Sequence, residues 1–313
     1  MIAIDFLNPL NSKKLIGMDH YFNEMINLYN LKKFPKVLLL NGKKGLGKFT
    51  MVIHFLNYIF TQKEKEPYNL KDKTININSI FHNQLLNGTN QDIILIQAEE
   101  NKNIKIEDIR NLKSLISRSS LSNNPRFIII DEVEYINENS VNALLKSLEE
   151  PSVNNYFILI NNKQAELIKT VTSRCLISNI FLNQNDAISV VNHLLESNEI
   201  DKLIDFNSNL TPGLFLRFNE ICLKLNLSKS DNISININKL LNAYKKSKDK
   251  TLINLVLYLI DQFFLSLTQK NEQQLDTLIK IKLSIVNNIN DFIYYNLNIN
   301  SVLNSIEIKL NNV

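Results

Sequence analysis

Gly42-Lys43-Lys44-Gly45-Leu46-Gly47-Lys48 follows a run of apolar residues, Val37 to Leu40, and opens a segment of helical pattern that reaches about Phe60. A glycine-rich turn between a buried strand and a helix is the build of a phosphate loop. Its backbone N–H groups and the helix N-terminus surround phosphate, and the lysine reaches the β/γ oxygens. A Gly-Lys turn can match this spacing by chance, and the placement between strand and helix makes the match specific. A chain containing such a unit is committed to parallel strands joined by right-handed helical crossovers.

The rest of the first half agrees. Ile93–Ile96, Phe127–Ile130, Tyr156–Ile160 and Leu176–Phe181 are further short apolar runs. They are continuous rather than alternating, as in strands covered on both faces. Ile106, Ile109, Leu112, Leu115 and Ile116 fall on one helical face between two of the runs. Asn137 is placed to cap a helix that carries Val141, Leu144, Leu145 and Leu148 and stops before Pro151. Six Gly and six Pro in 313 residues leave little room for a turn-rich all-β architecture. Beyond Leu182 the strand signal fades, Thr211-Pro212-Gly213 marks a break, and Leu275, Leu278, Ile279, Leu283, Val286 and Ile289 keep helical period. The expected organisation is an α/β domain over 1–181, a small helical unit over 182–211 and an all-α domain over 212–313. The polar segment Thr61 to Asn90 reads as a surface insertion on the first of these.

The loop carries a defect. The residue after Lys48 should be Ser or Thr, whose hydroxyl ligates Mg²⁺, and here it is Phe49. Thr50 lies about 100° further around the helix, so its hydroxyl points elsewhere. A loop of this kind binds ATP and Mg²⁺ weakly, unproductively or not at all, and a phosphate loop kept only as scaffold is the plainer alternative. The second element of such a site is intact. Phe127–Ile130 ends in Asp131, placed to hold Mg²⁺, and Glu132, placed to polarise an attacking water. Solvated acids at a strand end are the bland alternative.

A formal charge of +4 with interspersed signs gives no basic stripe of the kind a strong nucleic-acid binder shows. Cys175, Cys222 and four scattered histidines lack metal-ligand spacing, so no zinc and no disulfide framework is expected. Thr251 to Leu267 is interrupted by Asn254, Asp261 and Gln262 and is read as falling short of a membrane span, and the N-terminus lacks a signal-peptide pattern. A cytoplasmic protein without membrane contact is the expectation.

Asn142-Ala143-Leu144-Leu145-Lys146-Ser147-Leu148-Glu149-Glu150-Pro151 is similar to the N-A-L-L-K-x-L-E-E-P signature of AAA+ clamp-loader subunits of bacterial DNA polymerase III. Phe157 through Ser173-Arg174-Cys175 resembles their sensor 1 strand and S-R-C motif. Leu15-Ile16-Gly17 and Ile106-Glu107-Asp108-Ile109-Arg110 resemble family positions too. The likeness covers about the first 180 residues and is architectural beyond them. It implies an AAA+ P-loop domain, a helical lid and a helical collar, in a hetero-pentameric ring of motor and delta subunits that loads the sliding clamp onto primed DNA. It implies that Arg174 acts as an arginine finger in a neighbour's ATP site, with a structural salt bridge at a domain edge as the plainer alternative, and that Asn161 takes the sensor 1 position. Gly42, Gly45, Gly47, Lys48, Thr50 and Asp131 would then line a degenerate nucleotide site, with Glu132 beside them. Phe49, and Leu214 where the family's S-P-G-R segment has arginine, resemble the delta-prime type. Lys48, Asp131 and Glu132 keep an active ATPase motor subunit open as the alternative. A DNA-remodelling AAA+ helicase or initiator would need an intact loop and a DNA-reading element, and neither is found.

Overall fold

A computed structural model describes residues 8–98, 104–116, 124–197, 202–207, 209–228, 231–269 and 275–311. The chain divides into two compact units, residues 1–200 with Phe206–Leu216, and residues 201–205 with 217–313.

In the first unit, five parallel strands form one sheet: β1 (Val37–Asn41), β2 (Ile93–Ile96), β3 (Arg126–Ile130), β4 (Asn155–Asn161) and β5 (Leu176–Asn179). Their order is β2-β3-β4-β1-β5, so β4 separates the phosphate-loop strand from the strand that carries Asp131. Around them lie α1 (Asp19–Asn30), α2 (Lys48–Phe60), α3 (Ile80–Leu86), α4 (Ile106–Ile116), α5 (Glu138–Glu149), α6 (Lys169–Thr172) and α7 (Gln184–Ser197).

The unbroken apolar runs of β1 to β4 have a direct cause, since each feeds two cores, whereas Leu176 and Ile177 of the edge strand β5 are exposed and the expected cover on both faces is missing there. Leu38, Leu40, Phe127, Ile129, Ile158 and Ile160 point to one side, where Phe22, Met25, Met51, Val52 and Phe55 of α1 and α2 meet them. Val37, Leu39, Ile128, Ile130, Phe157 and Leu159 point to the other, against Ile109, Leu112, Val141, Leu144 and Leu148 of α4 and α5. Asn137 caps α5 as its sequence suggests, its side chain accepting from Ser140 N at 2.8 Å, and the helix stops at Glu149. The segment 61–90 is more than a surface insertion. Tyr68, Ile75, Phe81 and Leu85 are buried in the first core, and Phe60 and Phe81 stack with ring centroids 4.8 Å apart. Its polar composition hides these anchors because they are widely spaced.

Thr211-Pro212-Gly213 begins α8 (Pro212–Lys224), with proline at the first position, where no N–H is needed. The second unit is helical, with α9 (Ile233–Ser247), α10 (Lys250–Thr268), α11 (Leu275–Tyr295) and α12 (Ile299–Asn311). Helix α10 packs on α9 and α11, and α12 packs on α11 and α9. By length and hydropathy α10 does reach what a membrane crossing needs, despite Asn254, Asp261 and Gln262. Within the unit it buries Leu252, Ile253, Leu255, Val256, Tyr258, Ile260 and Phe264.

Candidate functional site

The phosphate loop leaves β1 at Asn41 and enters α2 at Lys48, with Gly45 and Gly47 at φ +82° and +90°, which only glycine adopts without strain. Gly42 is held at its start, donating to Asn161 O at 3.2 Å. A Cβ there would lie 2.4 Å from Ile180 O.

The loop is bonded to its own chain. Lys48 is buried, and its ammonium donates to Gly42 O at 2.7 Å and Lys43 O at 2.8 Å. Burial pulls its pKa down to about 8, against the opposing pull of Asp131 and Glu134. The start of α8 sits directly on the loop. Thr211 Oγ1 donates to Lys44 O at 2.7 Å, and Gly213 N donates to Gly45 O at 2.9 Å. A Cβ on Gly45 would come within 2.5 Å of Thr211 Oγ1, and one on Gly213 within 2.8 Å of Gly45 Cα, so the two backbones touch with no room for a side chain.

Phe49 points into the core among the residues of α1 and α2. Thr50, one position on, is half-buried. Asp131 and Glu132 stand at the end of β3. Asp131 accepts from Asn162 Nδ2 at 3.3 Å, and burial together with the neighbouring Glu132 charge raises its pKa to about 6. Glu132 adopts the left-handed conformation, φ +55°, and binds Lys44 of the phosphate loop at 2.6 Å. The acid placed to polarise water is thus paired with a loop lysine. These residues do not fit a magnesium nucleotide. Position 49 offers an aromatic ring where the metal needs an oxygen, the Lys48 ammonium that would reach phosphate is held by Gly42 O and Lys43 O, and Glu132 is paired with Lys44.

Asn161 ends β4 beside the loop. Its Nδ2 donates to Asn41 Oδ1 at 3.0 Å, and Asn41 Nδ2 donates to Asn179 Oδ1 at 2.7 Å. The three amides lie in register at the ends of β4, β1 and β5, forming a ladder across the sheet. Sequence reading singled out one of the three. Asn41 could have been found by noting that it closes an apolar run as Asn161 does, whereas Asn179 lies within the run Leu176–Phe181 and carries no such signal. Also missed was Glu134, a buried carboxylate that accepts from the backbone N–H of Asn162 at 3.0 Å and so fixes the turn after β4.

Gly42, Gly45, Gly47, Lys48, Asp131, Glu132 and Asn161 therefore converge at one end of the strands, and Arg174 does not. It precedes β5, which runs parallel to β1 with Leu176 opposite Leu38, whereas the loop follows Asn41 at the far end. Arg174 thus lies at the opposite end of the sheet from its own chain's loop. Its Nε donates to Glu149 Oε1 at 2.7 Å and one terminal nitrogen binds the same oxygen. The other donates to Thr170 O at 2.7 Å and Ser173 Oγ at 3.1 Å. Cys175 alongside donates to Val171 O at 3.1 Å, and burial pushes its thiol up to about 11, which makes it a packing residue rather than a nucleophile.

A sequence profile of the family described as DNA polymerase III, delta subunit, matches residues 17–183. DNA polymerase III subunit delta' of Buchnera aphidicola subsp. Baizongia pistaciae is 26% identical over 226 residues, 65% of this chain and 63% of that protein. DNA polymerase III subunit gamma of Buchnera aphidicola subsp. Schizaphis graminum is 29% identical over 189 residues, 60% of this chain and 50% of that protein. The chain thus spans between half and two thirds of the length of these curated relatives. A DNA polymerase III gamma subunit-related protein from Thermotoga maritima, known from its crystal structure, shares the fold. It has a TM-score of 0.50 and 18% identity over 91% of this chain and 98% of that one. The parallel sheet, the phosphate loop after β1 and the helical C-terminal region make the fold an AAA+ one. With just over half of its length matched by the profile, the chain belongs to the DNA polymerase III, delta subunit family.

Proposed function

We propose that this chain is the delta-prime-type member of a DNA polymerase III clamp loader. In this reading it is a cytoplasmic subunit that supports ATP-driven loading of the sliding clamp on primed DNA, hydrolyses little or no ATP itself, and lends Arg174 to an adjacent ATPase subunit. The α/β part, residues 1–181, carries the arginine; 182–211 form a lid, and 212–313 form the collar that joins motor and delta subunits in a five-membered ring. The observation that carries this reading is the separation of two features on one sheet. A phosphate loop that lacks its metal-binding hydroxyl and holds its lysine on its own carbonyls lies at one end of the strands, and an S-R-C arginine lies at the other. An arginine so placed cannot reach its own loop and is suited to stabilising charge on a phosphate supplied from outside.

Lys48, Asp131 and Glu132 favour the second reading, an active motor subunit, as does the similarity to chains named gamma. The two differ in copy number. Native mass spectrometry of the complex reconstituted with the gamma- and delta-type subunits of the same cell is expected to show one copy of this chain per five-subunit assembly. Assemblies in which this chain replaces the gamma-type subunits and sustains ATPase would overturn the first reading.

A further inference from the structure

Arg174 offers five N–H groups in a rigid plane, and its own chain takes most of them. The edge formed by Nε and one terminal nitrogen faces Glu149 Oε1, and the other terminal nitrogen is held by Thr170 O and Ser173 Oγ. A guanidinium grips phosphate through two parallel N–H groups along one edge. In this chain either edge must first give up a partner.

Among the described residues, the partner on the first edge is the only charged one. Glu149 is the last residue of α5, where a carboxylate faces the negative end of the helix dipole, so the arginine also offsets an unfavourable charge there. Both side chains are partly exposed, at 29% and 47%, which makes the pair cheap to exchange. We propose that Glu149 is a positioning residue that competes with the neighbour's phosphate for the same edge of Arg174, and so sets how readily the finger is released. This inference rests on the finger reading. Thr170 and Ser173 hold one terminal nitrogen of the guanidinium while Glu149 occupies the edge formed by Nε and the other. The finger is thereby kept oriented and unavailable until a more highly charged anion displaces the carboxylate.

Glu149→Gln keeps the shape and one acceptor oxygen but removes the charge. In the assembled complex it is expected to raise kcat for ATP by about two- to fivefold, the scale of a partly exposed ion pair, with KM for ATP little changed. In the Arg174→Ala background the same substitution should do nothing. In the isolated chain, Arg174 Nε–H should exchange with solvent faster once the carboxylate is gone, as nuclear magnetic resonance would detect. An unchanged exchange rate, or a kcat that stays level or falls while Arg174→Ala still lowers turnover, would overturn the role of Glu149 and leave the finger intact. A silent Arg174→Ala would remove the finger reading, and this inference with it.

Discussion

Arg174→Ala is expected to lower ATP turnover at the one site the finger faces by about 10³-fold or more, the scale of a transition-state arginine. Loading of the sliding clamp should fall with it. Assembly should be nearly unaffected, because within its own chain the side chain makes one partly exposed ion pair and two hydrogen bonds, with an ion-pair contribution of about 0–1 kcal/mol. Single-turnover ATP hydrolysis by the reconstituted complex, together with its mass in solution, separates the two effects. Arg174→Lys should restore little, since a point charge cannot reproduce the planar fork. Full loading activity in Arg174→Ala would contradict the assignment.

The second large effect concerns the frame that places both ends of the site. Phe127 on β3 is fully buried and its ring meets five others: Tyr156 stacked at 5.3 Å, and Phe55, Phe60, Phe34 and Tyr29 at 5.9 to 6.3 Å. These rings come from α1, the chain entering β1, α2 and β4, so one side chain ties the phosphate-loop helix to the strand that ends in Asp131. Phe127→Ala is expected to cost about 3–5 kcal/mol, since rings anchored on four segments cannot collapse into the cavity. That is a large share of the roughly 5–15 kcal/mol that holds a typical domain folded. Urea denaturation of the whole chain, followed by near-ultraviolet circular dichroism from these aromatic residues, would record it as a lower midpoint of the first transition. A loss below about 1 kcal/mol would mean that this cluster is not packed as described.

Sequence alone reveals most of the strands for a physical reason. With cores on both faces of β1 to β4, successive inner positions of these strands are apolar, and such runs stand out against helical spacing. Asn137 and Pro151 bracket α5 because capping and chain termination are local effects. Phe49 reveals a missing metal ligand by its chemistry alone. The closure of the phosphate loop by Thr211 and Gly213 was not legible. Those residues lie more than 160 positions beyond the loop, and nothing local in Thr-Pro-Gly says what it touches. Strand order was equally hidden, because the insertion of β4 between β1 and β3 is a long-range pairing with no local signature. Glu149 and Arg174 were both conspicuous within their motifs, and their contact appears only once α5 and the turn before β5 are folded together.

In the proposed function the phosphate loop of this chain is a scaffold, and the chain's chemistry is the arginine at the other end of the sheet. Calorimetric titration of the purified chain with ATP and Mg²⁺ tests the claim most directly. With Phe49 in the core, Lys48 on the loop's own carbonyls and the start of α8 against Gly45, no saturable heat is expected, and Lys48→Ala should titrate like the unaltered chain. Tight, Mg²⁺-dependent binding that Lys48→Ala abolishes would contradict the account and place this chain among the subunits that turn over ATP themselves.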